Sequence, residues 1–343
     1  MKHFLDKDIE LIINNTKKIA KFFNGKKILL TGGNGFLGKY FIEYFERLNL
    51  ILSKPVKLIV YDITFNKVKK NKNIKLIKKD VSKPFTTSEK FDIIIHAAGI
   101  ASPFYYRKKP IETIEVSIQG IKNCLKLAKK NNSKLIYFST SEIYGDPPNK
   151  FVPTKESFKG NVSSIGPRAC YDESKRLGET FCYVYSNYYN VHTNIIRPFN
   201  VYGPGMKQDD YRIFPNFISS LLNKKELHIY GSGKQTRTYC YITDAIEGFL
   251  KVISLGKFGE VYNIGNENPE VSIKEVINIL KKIDKNIKYK KIDYPESYPD
   301  DEPQRRCPDL SKARNHLNYS PNVRLEKGLK YFYSWAKQNY KFK

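Results

Sequence analysis

Apolar residues in this chain recur with two periods. Leu5, Ile9, Ile12, Ile13, Ile19, Phe22 and Phe23 stand at helical spacing, which predicts one or two helices over residues 4–24. Short, nearly continuous apolar runs follow at 26–31, 56–61, 74–78, 91–96, 134–139 and 192–197. Runs of this kind fit strands buried on both faces, as in a parallel sheet. Helical stretches lie between them, from the glycines at 32–38 to Leu48, over 114–131 and over 171–189. Strands alternating with helices predict an α/β fold, a Rossmann-like doubly wound parallel sheet.

Beyond Arg197 the pattern changes. Prolines and glycines break the chain into short segments, which predicts a smaller, mixed α/β C-terminal lobe for substrate. The division is 1–24 for a helical extension, 25–198 for the main sheet and 199–343 for the lobe. Residues 258–265, around the strand-like 261–264, are placed to return to the main sheet.

With 343 residues and 41% apolar content the chain can build a large core, so disorder is excluded. No apolar run reaches the length of a membrane span, and the first residues are too polar for a signal peptide. The five cysteines (124, 170, 182, 240 and 307) are odd in number and scattered. This fits a reducing cytoplasm and argues against a zinc site. A net charge of +26 raises nucleic-acid binding. Its lysines are spread along the whole chain, so solvated faces are the better reading, and no nucleic-acid partner is expected. The same charge attracts a diphosphate.

Two motifs carry chemistry. Gly32-Gly-Asn-Gly35-Phe36-Leu37-Gly38 lies between a predicted strand and a predicted helix, the setting of a dinucleotide-binding turn. Asp62 closes the next strand, where a carboxylate binds ribose hydroxyls and repels a 2′-phosphate. Ile63 and Thr64 follow it in place of a basic residue, so NAD is expected over NADP. Asp80 and Val81 are weaker cofactor contacts, since an aspartate at a strand end is often a turn residue. Tyr171 and Lys175 are four apart on one helix face. A phenol with a pKa near ~10 is a poor base at neutral pH, and an adjacent cation lowers that value.

Together with His96-Ala97-Ala98 and Ser139-Thr140-Ser141-Glu142, these motifs resemble the extended short-chain dehydrogenases/reductases. The resemblance implies a catalytic set of Thr140, Tyr171 and Lys175. It also implies cofactor contacts from Gly32, Gly35, Phe36, Leu37, Gly38, Asp62, Asp80, Val81, Ala97, Ala98, Tyr171 and Lys175, with the lysine on the nicotinamide ribose. The segment 165–176 (Ile-Gly-Pro-Arg-Ala-Cys-Tyr-Asp-Glu-Ser-Lys-Arg) narrows it to the UDP-glucuronate decarboxylases. Segments 101–106, 139–146, 197–204, 230–237 and 301–309 are also similar to theirs.

On that resemblance Tyr105, Tyr106, Glu142, Asn200, Tyr230, Arg237 and Arg305 contact the nucleotide sugar, a UDP-sugar by preference, and 227–230 wall the base. Arg212 faces the sugar carboxylate and assists protonation. The implied reaction oxidises C4, releases carbon dioxide, protonates C5 and reduces C4 again. A 4-epimerase is the alternative. A 4,6-dehydratase is disfavoured because Thr140 is followed by Ser-Glu rather than Asp-Glu, and a non-catalytic binding protein ranks last. Two departures bear on the sugar pocket. Gly205 replaces the arginine of Gly-Pro-Arg-Met, and Tyr105 stands where Asn or Glu is usual. The family default is a homodimer through helices 114–131 and 171–189, with Leu125, Ala128, Leu177 and Tyr183 either packing across that seam or facing the chain's own sheet.

Overall fold

Ile28, Leu29 and Leu30 have no solvent exposure in β1 (Lys27–Thr31), because both faces of that strand are covered. The computed structural model describes residues 3–65, 72–293 and 303–341. Beside β1 run β2 (Lys57–Asp62), β3 (Ile74–Lys78), β4 (Ile93–His96), β5 (Lys134–Phe138) and β6 (Thr193–Pro198). The sheet is completed by Val261–Ile264, which pairs with β6. Its spatial order is Val261–Ile264, β6, β5, β4, β1, β2, β3, and every pairing is parallel. This is the doubly wound sheet that the apolar runs predict, with boundaries shifted by a residue or two.

Alternation along each strand feeds two cores. Ile28, Leu30, Val60, Ile95 and Ile136 pack under α1 (Asp6–Asn15) and α2 (Phe36–Leu48). Leu29, Ile59, Ile94, Leu135 and Tyr137 pack on the opposite side. The helices there are α4 (Pro110–Asn131), which follows the short α3 (Pro103–Lys108), and α5 (Ala169–Tyr189). Leu125 and Ala128 belong to this second core and are 0% and 1% exposed, so they pack within the chain and are not interface residues. Leu177 and Tyr183 face outward.

The helix Ala169–Tyr189 sits unusually close to the sheet. A Cβ at Gly178 would lie 2.5 Å from the Tyr137 ring, so only glycine lets α5 approach. That approach carries Tyr171 and Lys175 over the carboxyl end of β5.

After β6 the chain builds short strands around α6 (Ile213–Leu222) and α7 (Ile242–Leu255). Leu227–Tyr230 pairs with Tyr289–Ile292. Thr236–Arg237 lies between Val271–Ser272 and Arg305–Arg306. The apolar side chains of this lobe, Phe214, Leu227, Val276 and Phe332 among them, continue the core beneath α2. The N-terminal segment joins the same core through Ile9, Ile12, Ile19 and Phe23.

Candidate active site

The strand order reverses between β1 and β4, and Thr31 and His96 end those strands side by side. In an open α/β sheet the ligand crevice opens at such a point. Gly32 has φ +76, and a Cβ there would stand 2.7 Å from the Ala98 backbone. A Cβ at Gly38 would strike the backbone of Gly32 and Gly33. The turn thus presses its own peptides together and against Ala97 and Ala98 at the end of β4. Gly35 caps α2, so the N–H groups of Phe36, Leu37 and Gly38 stand at a helix N-terminus, an anion-binding end.

Asp62 closes β2 beside this turn and accepts hydrogen bonds from the Asn34 N–H at 2.9 Å, the Thr64 N–H at 2.9 Å and the Thr64 hydroxyl at 2.6 Å. A glycine cradle that no side chain could enter, with a carboxylate at the next strand end, fits a dinucleotide. Asp80 accepts from the Ser82 N–H and hydroxyl, the local turn anticipated for it. Val81 is buried, and its carbonyl accepts from Asn123. His96 is an internal strut. Its ring stacks on Tyr137, its Nδ1 meets the Thr31 hydroxyl at 2.8 Å, and burial drives its pKa down to about 3.

Thr140, Tyr171 and Lys175 meet over the end of β5. All three are buried, and the Thr140 hydroxyl hydrogen-bonds the Tyr171 phenol. Lys175 Nζ donates to the Phe138 carbonyl at 2.8 Å and lies 6.0 Å from the centre of the Tyr171 ring. Burial lowers the Lys175 pKa to about 8. The same burial raises the Tyr171 pKa, against smaller lowering effects from Thr140 and Arg212. The lysine is directed to a main-chain carbonyl, and desolvation governs both groups.

Tyr106 is buried and stacks face to face on Tyr171, with centroids 5.1 Å apart. Tyr105 turns away, and its hydroxyl donates to Asp209 Oδ2 at 3.1 Å. Asp210 holds Arg212 by a bond of 2.6 Å. Asn200 has φ +42 and donates from Nδ2 to the Thr238 carbonyl at 2.8 Å. Tyr230 ends its strand, half-buried. Arg237 is buried and donates to the carbonyls of Thr236, Pro303 and Gln304. Arg305 forms a fork with Glu270 at 2.7 and 2.9 Å, on the outer side of its strand. Residues 301 and 302 of the segment matched above lie outside the described residues.

Its neighbour Arg306 points inward, since successive strand residues face opposite ways. It binds Glu142 at 2.6 Å, and Arg168 grips the same carboxylate. Arg168 also reaches Asp172 at 3.4 Å. Burial works against ionisation of Glu142, but Arg306 and Arg168 outweigh it and its pKa falls. Asp172 is pushed up to about 7 by burial, reinforced by the charge of Glu142. Arg168, Asp172 and Arg306 belong to neither of the two sequence motifs that carry chemistry. The i,i+4 spacing of Arg168 and Asp172 was the available signal. Tyr106 Oη, Asp172 Oδ1 and Arg306 Nε are buried without a hydrogen-bond partner among the described residues. Buried polar groups require partners, and the hydroxyls and carboxylate of a sugar acid are of the right chemistry.

A doubly wound sheet with a glycine cradle at its switch point and a buried Thr–Tyr–Lys set over the end of β5 defines a dinucleotide-dependent enzyme of the Rossmann type. The model of the NAD dependent epimerase/dehydratase family matches residues 28–265, and the chain belongs to that family. UDP-glucuronic acid decarboxylase 6 of Arabidopsis thaliana is 38% identical, over 90% of this chain and 89% of its own length. UDP-glucuronic acid decarboxylase 1 of Xenopus tropicalis is 37% identical, over 89% of this chain and 70% of its own. Among solved structures, the UDP-glucuronic acid 4-epimerase of Bacillus cereus, in complex with UDP-glucuronic acid and NAD, superposes with a TM-score of 0.75. It is 28% identical and covers 92% of this chain and 100% of its own. The UDP-glucose 4-epimerase of Thermotoga maritima gives a TM-score of 0.78 at 25% identity, covering 92% of this chain and 100% of its own.

Proposed function

We propose that this protein decarboxylates UDP-glucuronate to UDP-xylose, using NAD that is regenerated within each cycle. One observation carries the reading. A buried Thr140–Tyr171–Lys175 set lies beside the Glu142–Arg306–Arg168 cluster, in a chain whose relatives at 36–38% identity are UDP-glucuronic acid decarboxylases. The glycine cradle, Asp62, Ala97, Ala98 and Lys175 would hold NAD, with Val81 and Asp80 further out. The 25–198 region would bind cofactor and 199–343 the nucleotide sugar, with 1–24 as an extension.

NAD, when bound, would supply the hydride acceptor and donor for C4. Tyr171, relayed by Thr140, accepts the 4-hydroxyl proton and later gives it back. The C4 ketone lies β to the carboxylate, so carbon dioxide leaves with its bonding electrons passing into an enolate. Cationic side chains stabilise that charge, and the field of Arg212 reaches Tyr171. Arg212 orients the carboxylate and assists proton delivery to C5. Tyr106 forms one wall of the sugar pocket. Glu142, held between two guanidinium groups, accepts from sugar hydroxyls. Asn200, Tyr230, Arg237 and Arg305 belong to the nucleotide side of the site.

A second reading, a uronate 4-epimerase, is favoured by the Bacillus cereus enzyme and by Gly205. Incubation with UDP-glucuronate, followed by mass and NMR analysis, separates the two. Loss of carbon dioxide is expected, whereas unchanged mass with altered couplings marks epimerisation. Turnover of a neutral UDP-hexose without any turnover of the uronate would refute both. In the same assay Tyr171→Phe should lose roughly 10²–10⁴-fold in rate while still binding both ligands.

The proposal includes a reducing, cytoplasmic setting, supported by five unpaired cysteines. No helix among the described residues is long and apolar enough to cross a membrane. It also includes a homodimer through α4 and α5, supported by the exposure of Leu177 at 41% and Tyr183 at 61%. Sedimentation velocity tests the dimer.

A further inference from the structure

His3 touches both halves of the active site from outside. Its Nε2 lies 3.1 Å from the carbonyl of Phe36, the first residue of α2. A carbonyl only accepts, so the imidazole carries its proton on Nε2 and donates. The ring packs edge-on against Tyr40, with centroids 5.8 Å apart. Burial lowers the His3 pKa to about 4, so the ring is neutral near pH 7 and brings no charge to the cradle.

Its other side meets the loop 203–212. A Cβ at Gly205 would lie 2.6 Å from His3 Cε1 and 2.7 Å from the His3 carbonyl oxygen. Gly205 also has φ +94, a conformation that disfavours any side chain. The arginine of the Gly-Pro-Arg-Met pattern has no room here while His3 is docked. Tyr40 reinforces the junction by donating from its hydroxyl to the Pro204 carbonyl at 3.1 Å. The loop then runs to Arg212, held by Asp210, at the start of α6. Behind His3 the segment is anchored by buried Ile9 and Ile12, and by Asp8, which accepts from the Tyr241 hydroxyl at 2.9 Å.

We propose that His3 is a positioning residue that locks the first turn of α2 to the loop 203–212, so that NAD is retained from one turnover to the next. The inference rests on the proposed function, in which the cofactor is reduced and reoxidised within one cycle. Such a cofactor gains nothing from leaving, and its escape midway would strand a keto sugar. The first turn of α2 supplies N–H groups to the pyrophosphate. Fixing that turn to the opposite lobe removes one route by which the cleft could open.

The test is release of labelled NAD from the full-length protein into excess unlabelled cofactor. His3→Ala should speed release by roughly three- to tenfold, the equivalent of one hydrogen bond. His3→Gln, whose amide can donate to Phe36, should restore much of the retention. Gly205→Ala should displace the ring and speed release similarly, with no further gain when combined with His3→Ala. Equal release from wild type and His3→Ala overturns the inference, whatever happens to the melting temperature, and so does full additivity of the two substitutions. Failure of the wild type to take up NAD at all would instead remove the cofactor assignment on which the inference stands.

Discussion

Glu142 is held by two guanidinium groups, those of Arg168 and Arg306, which are themselves buried. Breaking a buried ion pair from one side leaves the surviving charge uncompensated. Glu142→Gln should therefore cost about 3–5 kcal/mol of stability, read from denaturant unfolding. A loss below the effect of an ordinary surface substitution would show that Arg168 and Arg306 find other partners. On Tyr171, Arg212 acts by field rather than by contact. Its charge lowers the pKa of Tyr171, which burial has raised. A general base works deprotonated, so the rate should climb as pH rises toward the phenol pKa. Arg212→Gln removes the lowering effect, and the ascending limb of kcat/KM should move to higher pH. A limb that stays in place while kcat falls would confine Arg212 to the substrate carboxylate.

Elements were legible where one period ran unbroken. The strand runs, the glycine turn and the helix carrying Tyr171 and Lys175 could be read from apolar spacing and local motif. Direction of side chains was less legible. Arg305 and Arg306 are neighbours, yet one pairs with Glu270 outside and the other with Glu142 inside. A two-residue strand has no alternation from which to tell them apart. The N-terminal helix was visible from Ile9 and Ile12, but its docking site was not, because Tyr241 and Glu247 lie more than 200 residues away. That docking has a pH signature. Burial raises Asp8 to about 7, opposed by its bond from Tyr241. A carboxyl whose pKa is raised on folding favours the fold below its unfolded value near 3.8, and that advantage is lost as pH rises through about 7. Between about pH 4 and 7 the melting temperature of the wild type should fall relative to that of Asp8→Asn. Asp172 and Asp244 shift in the same direction, so the difference between variant and wild type isolates Asp8. An unchanged slope in the variant would remove Asp8 from the account.

At the scale of the molecule, the lobe beyond residue 198 was recognisable as a change of texture but not as a structure. Its short strands pair across long gaps, as Leu227–Tyr230 does with Tyr289–Ile292, and nothing local specifies such partners. One feature was readable in advance, the return of Val261–Ile264 to the edge of the main sheet beside β6. It has a consequence during synthesis. α1 cannot dock until α7, which supplies Glu247, has left the ribosome, and the sheet cannot be completed until the strand that follows α7 has emerged in turn. A polypeptide stalled near residue 198 would expose the bare edge of β6 and the unclaimed apolar side of α1. Such surfaces invite chaperones and aggregation. Translation of this chain must therefore run well past its cofactor-binding half before that half is safe.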